Sequence, residues 1–144
     1  RQRQMCIRDR VTDEEIGIFQ SLSKNNTHVM LQSFLPEIYD GDFRILIIHG
    51  EVCPISLARI PQEGSFKGNL AAGGKGIAKE ISPQQKNVAK EIGKILIKNN
   101  IAFAGIDMIG NHLTEINVTS PTGAKEIFDQ SGVNPIELLF NKLL

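Results

Sequence analysis

Two apolar runs in FAGIDMIGNHLTEINVTSP, parted by Gly110-Asn111, constrain this chain more than any other stretch. Their composition and the turn dipeptide between them predict an antiparallel hairpin. Side chains alternate faces along a strand, so Glu115 and Asn117 point the same way. Asp107 joins them only if it sits directly opposite Glu115. In a regular hairpin that register needs an odd loop, most simply Gly110, Asn111 and His112, with Ile109 facing Leu113. A two-residue Gly-Asn loop would put Asp107 on the other face. Two carboxylates and a carboxamide among apolar neighbours are costly to bury without a charge partner. Hard oxygens of this kind suit Mg2+. The ligand reading therefore predicts the three-residue loop, with Asn in the left-handed conformation it tolerates. The alternative is an ordinary solvated hairpin face.

The rest of the chain supplies partners for this hairpin. Thr12 or Asp13 can cap a short helix through Leu22. Residues 28–35 (HVMLQSFL) read as a strand ending at Pro36, and YDGD as a turn. Residues 43–49 and 52–58 form a second hairpin around Gly50-Glu51, with Pro54 placing its second strand at an edge or bulge. From Arg59 to Glu80 the chain is rich in glycine and lacks a period, so a long loop is expected. Ser82-Pro83-Gln84-Gln85 is a helix start, with Ser as N-cap, Pro at the first position and Gln three residues after the cap. Val88, Ile92, Ile95 and Leu96 form its apolar face, and Asn99-Asn100 ends it. A helix follows near Thr122. Another starts at Asn134-Pro135, with Ile136, Leu139, Phe140 and Leu143 inward. This order predicts an α+β fold, a mainly antiparallel sheet with helices packed on it.

Composition narrows the function classes. At 144 residues the chain is one domain or a piece of a larger one. Its 16 basic and 16 acidic residues balance, so no global field favours nucleic acid or an anionic membrane. No apolar stretch approaches the roughly 18 residues of a membrane span. The opening RQRQMCIRDR has neither a signal-peptide core nor any periodicity, and it reads as foreign to the fold or left from truncation. The chain begins mid-pattern, as a fragment would. Cys6 and Cys53 make no disulfide framework, so a reducing cytoplasm is expected. His28, His49 and His112 lack zinc spacing.

Two further groups of residues could carry chemistry. The glycine-rich loop contains neither GxxxxGK[ST] nor GxGxxG after a strand. It offers Lys67, Asn69 and Lys75 on glycine-rich backbone that could close over an anionic ligand. Arg44 lies in a strand and Arg59 at the mouth of the loop. Guanidinium groups there could hold carboxylate or phosphate bidentately. Gln32 within LQSFL could line a pocket for a heteroaromatic ring, or simply belong to a core strand. Cys53 reads as a small buried apolar residue.

Taken in order, LQSFLPEIYDGDFRILIIHGE, LARIPQEGSFKGNLAAGGKG and FAGIDMIGNHLTEINVTSPTG resemble the C-terminal part of bacterial glutathione synthetases. Those enzymes are ATP-grasp carboxylate–amine ligases. The resemblance runs from about His28 to Leu144, and implies a C-terminal ATP-grasp portion over residues 12–144 with a lid at 60–76. Residues 1–11 fall outside it. It implies ATP-dependent joining of γ-glutamylcysteine and glycine through an acyl phosphate, with Mg2+ or Mn2+ on Asp107, Glu115 and Asn117. Nucleotide would meet Gln32, Ser33, Phe34, Leu35, Asp42, Asn69 and Lys75. Arg44 and Arg59 would be catalytic and bind substrate, with Lys67 and Ser120 also contacting it. Relatives often carry arginines in the lid where this chain has Lys67 and Lys75, and lysine lacks the bidentate fork. The resemblance places a substrate domain and a phosphate-covering lobe outside this stretch, so the chain alone is expected to be inactive. A homo-oligomeric complete enzyme is compatible with it. The rival readings are another ATP-grasp ligase with a different amine, a non-catalytic nucleotide- or metal-binding module, and an inert truncation product.

Overall fold

The computed structural model describes residues 16, 17, 20, 33–62 and 75–143. The chain divides into two compact units, Arg1–Pro36 and Glu37–Leu144. In the first, Ser33–Leu35 form no strand; the remainder of the expected strand over 28–35 lies outside the described residues, as does most of the expected first helix.

The second unit is a sheet with helices on both faces. After a short 3-10 helix, Pro36–Asp40, come β1 (Asp42–Ile48), β2 (Glu51–Val52), β3 (Ile55–Ile60) and β4 (Lys75–Glu80). Helix α1 (Pro83–Lys98), strands β5 (Phe103–Ile109) and β6 (His112–Asn117), and helices α2 (Ala124–Ser131) and α3 (Pro135–Leu143) complete it. The strands run in the order β4-β3-β1-β5-β6, all antiparallel, with β2 folded against β1. The expected strand over 52–58 is instead split, because Pro54 cannot donate to a ladder. The expected loop over 59–80 yields strand β4 at its end. Lys75–Glu80 pairs fully with β3, an outcome set by the neighbouring strand and not by local pattern.

Alternation sorts the side chains into two layers. Ile45, Ile47, Ala104, Ile106 and Met108 meet Ala89 and Leu96 of α1 on one face. On the other, Leu46, Cys53 and Leu57 meet Ile127 of α2. Helix α1 comes down on small residues: a Cβ at Gly93 would lie 2.4 Å from the carbonyl oxygen of Gly50. That approach turns Ile95, expected inward, to solvent at 55 % exposure. In α3 the expectation also fails for Ile136 and for Phe140, which is 57 % exposed; Pro135 is buried and Leu139 half-buried. Among the described residues no helix is long and apolar enough to cross a membrane.

Both ends of the Gln85 amide are used. The capping box forms as expected: Gln85 N donates to Ser82 Oγ at 3.1 Å, and Ser82 N to Gln85 Oε1 at 3.0 Å. Gln85 Nε2 then donates to Gly110 O at 3.2 Å, tying the start of α1 to the β5–β6 turn. Gly110 has φ of 55°, and the methylenes of Glu37 lie against it. Replacing Gln85 with Leu leaves a part-buried carbonyl and a part-buried N–H without this partner. The expected loss is about 1–3 kcal/mol, read as a lower urea midpoint at unchanged m-value.

Candidate active site

The α2 face also carries a row of charges. Arg44 on β1 pairs with Asp107 on β5, which pairs with Glu115 on β6. One step along, Asp42 on β1 pairs with Arg59 on β3. Direct cross-strand partners share a face, so five charged side chains meet on it. Arg44 and Asp107 are 5 % and 4 % exposed.

Contacts link four of them, Arg44, Asp107, Arg59 and Asp42, into one network. Arg44 grips Asp107 bidentately, Nε on Oδ1 and Nη2 on Oδ2, the latter at 2.8 Å. Arg59 Nη2 lies 2.8 Å from Asp107 Oδ2 and also donates to Asp42 Oδ2. Buried arginines without such partners would be costly. Burial alone would push the Asp107 carboxyl up, but the Arg44 hydrogen bond and the Arg59 and Arg44 charges outweigh it, so its pKa falls. Burial also works against charged Arg44, yet Asp107, with Glu115 and Asp42 adding charge, raises its pKa. At Asp42 burial wins over Arg59, and Asp107 adds to it, so the pKa rises to about 6. Asp42 Oδ1 and Arg59 Nε are buried without a hydrogen-bond partner among the described residues.

Room for Arg44 comes from missing side chains. A Cβ at Gly105 would lie 2.9 Å from Arg44 Cδ and 2.8 Å from Pro121 Cβ. At Gly123, with φ of 105°, a Cβ would touch Leu57 and Arg44. The segment between β6 and α2 thus folds over the arginine stem. Asn117 holds that segment: its Oδ1 accepts from Thr119 N at 3.1 Å, Ser120 N at 3.3 Å and Thr119 Oγ1 at 3.3 Å.

The hairpin departs from the three-residue loop. Ile109 pairs with His112, leaving a two-residue Gly110-Asn111 turn, and Met108 pairs with Leu113. A bulge then restores Asp107 opposite Glu115. The register required by the ligand reading is present by a route that loop parity did not foresee.

The remaining candidates spread out. Glu115 and Ser120 are exposed. Lys75 is exposed at the start of β4 opposite Ile60, so alternation turns it to the α1 face, away from Arg59. Ser33 is exposed, and Phe34 and Leu35 are partly buried within the first unit. Gln32, Lys67 and Asn69 lie outside the described residues. Sequence reasoning missed Gly105, Gly123 and Thr114. An isolated Gly inside an apolar strand was the available signal for the first, since it marks close approach of another group.

Among the described residues no three His, Cys, Asp or Glu side chains cluster as a metal site, so a hard cation here would rest on two carboxylates and an amide oxygen. A carboxylate offers about four lone-pair sites. The two arginines make three nitrogen contacts with Asp107, which leaves one position on Oδ1. Glu115 stands beside it with an exposed carboxylate. Asn117 Oδ1 would have to exchange at least one of its long turn bonds for the ion.

Residues 6–132 match the family described as prokaryotic glutathione synthetase, ATP-grasp domain. The chain is 50 % identical over 134 residues to the glutathione synthetase of Nitrosomonas europaea, covering 92 % of this chain and 42 % of that protein. With the glutathione synthetase of Neisseria meningitidis serogroup A it shares 50 % over 122 residues, or 83 % of this chain and 38 % of the relative. With that of Pseudomonas syringae pv. tomato it shares 45 % over 138 residues, 94 % and 43 % respectively. The chain spans about two fifths of the length of these relatives.

The raised pKa of Asp42 has a signed consequence. The folded state holds this proton more tightly than the unfolded state, so its stabilising effect is full below about pH 4. It is lost as pH rises through about 6. Asp107, with a lowered pKa, acts in the opposite sense, and its contribution falls away only in more acid solution. Asp42→Asn should therefore gain stability relative to the parent between pH 4 and pH 7, by up to about 3 kcal/mol. Urea midpoints at those two pH values measure it; an unchanged difference would show that Asp42 titrates normally.

Proposed function

The chain belongs to the prokaryotic glutathione synthetase ATP-grasp family, and from that membership we propose that it supplies the metal- and phosphate-handling floor of an ATP-dependent ligase joining γ-glutamylcysteine to glycine. The observation that carries the reading is the paired row Arg44–Asp107–Glu115 beside Arg59, buried charges that run out to the exposed Glu115 at the sheet edge. In the proposed reaction the γ-phosphoryl group of ATP passes to the cysteinyl carboxylate of the dipeptide, releasing ADP. The glycine amine attacks the resulting acyl phosphate, phosphate leaves, the amine proton goes to solvent, and a peptide bond forms.

Each residue has a distinct task in that scheme. Glu115 and Asp107 would hold Mg2+, or Mn2+ with the same hard-oxygen preference, and Asn117 would add a neutral oxygen. The ion, when bound, supplies charge neutralisation at phosphoryl oxygens during transfer. Arg44 and Arg59 are held in place before substrate arrives, so little reorganisation is needed for them to face an incoming anion. Arg59 is the better placed to exchange partners. It touches Asp107 through one nitrogen, whereas Arg44 uses two. Asp42 keeps Arg59 from leaving the sheet face altogether. Ser120, exposed in the segment between β6 and α2, would meet the dipeptide.

Glu115→Gln in the complete enzyme keeps size and removes the charge. Turnover should fall by about 100-fold or more, since metal stabilisation of the transition state is worth several kcal/mol. Lys98→Gln, exposed at the end of α1, should leave turnover within about twofold and serves as the control. Phosphate release dependent on γ-glutamylcysteine and glycine is the assay. Release with another amine but not with glycine would move the chain to a different ligase specificity.

A further inference from the structure

Asp107 and Glu115 face each other only because β6 carries one residue more than β5. From the turn outward, Ile109 pairs with His112 and Met108 with Leu113, and the next pair is Asp107 with Glu115. Thr114 is the extra residue, and its hydroxyl donates to the carbonyl oxygen of Asp107 at 3.0 Å. Had the first register simply continued, Asp107 would oppose Thr114 and Ile106 would oppose Glu115. Glu115 and Asn117 would then lie on the apolar face with Ile45 and Met108. Two arrangements therefore compete. Continuing the ladder keeps pairing regular but moves Glu115 and Asn117 away from Asp107, while the bulge interrupts pairing and keeps them together.

The Thr114 hydroxyl bears on that balance directly. It binds the main chain of one proposed metal ligand and is adjacent in sequence to the other. The turn end of the hairpin is already held by Gln85 Nε2 on Gly110 O. Thr114 holds the opposite end of the two pairs between. Bulges bend a strand, increase its local twist and redirect nearby side chains. The heading of Glu115 relative to Asp107 thus depends on how firmly this bulge is held.

We infer that Thr114 is a positioning residue whose hydroxyl locks the bulge and so fixes Asp107 and Glu115 for a shared divalent cation. The inference rests on the metal reading proposed above. Thr114 itself touches no reacting atom; it acts through the backbone of Asp107 and Glu115.

Mn2+ is the probe, titrated into the complete enzyme with ADP and followed by the electron paramagnetic resonance of the free ion. Thr114→Val removes the hydroxyl at nearly constant volume, and Thr114→Ser keeps it. Partners that bond directly to metal ligands affect affinity by about 10- to 100-fold; acting through the backbone, Thr114→Val should weaken Mn2+ by about three- to tenfold, with Ser within about twofold of the parent. Glu115→Gln is measured alongside and should weaken Mn2+ further. If Glu115→Gln binds Mn2+ like the parent, the metal reading falls and this inference with it. If Glu115→Gln loses Mn2+ while Thr114→Val binds normally, the metal reading stands and the positioning role is overturned. Should the Val variant fail to fold, Thr114→Ala takes its place, and equal affinity of Ala and Ser variants overturns the role.

Discussion

The bidentate contact between Arg44 and Asp107 is the constraint around which the second unit is arranged. Both groups are buried, and neither could be left alone there without a penalty of several kcal/mol. Their pairing across β1 and β5 requires the register that also stacks Ile45 on Ile106 and Phe43 on Met108. The same register determines which face α1 covers. One ion pair thus keeps the apolar layer and the charged row on their respective sides. Removing either partner would leave the other charged and dry, so register and core packing would be disturbed together.

Arg59 gives that pair a second, looser partner. It bridges Asp107 and Asp42 through one nitrogen while its Nε has no partner among the described residues. A site meant to receive anions needs cations that can change partners, and a fully satisfied network would resist that. Arg44 and Arg59 divide the roles, one anchored and one adaptable. Asp42 bears the cost, with its carboxyl pushed up by burial.

Much of this was legible in the sequence where a local rule and the fold agree. The capping box at Ser82–Gln85 and the antiparallel α+β plan both follow from patterning. What escaped depends on contacts distant in sequence. Strand β4 lies in a stretch with no period of its own and exists because β3 offers an edge. The inward face of α1 was misjudged at Ile95 because Gly93 and Gly50 draw the helix close on a different side. The hairpin loop escapes because parity holds only for a regular ladder, and Thr114 breaks the ladder. Of the site, Arg44, Arg59 and Asp107 were singled out one by one. That they bind each other was not visible, since nothing in spacing distinguishes an arginine held by protein from one awaiting a ligand.

The hole that Gly105 leaves in the side-chain layer bears on how variants of Arg44 are to be interpreted. Its methylenes fill the space over a strand residue with no side chain, roofed by Pro121 and Gly123. In that position the stem behaves as a core side chain and only the guanidinium as a charge. Truncating Arg44 to Ala would open a cavity as well as free a carboxylate, so lost activity would combine collapse of the overlying turn with lost electrostatics. Methionine, of similar reach and no charge, would fill the hole and separate the two contributions.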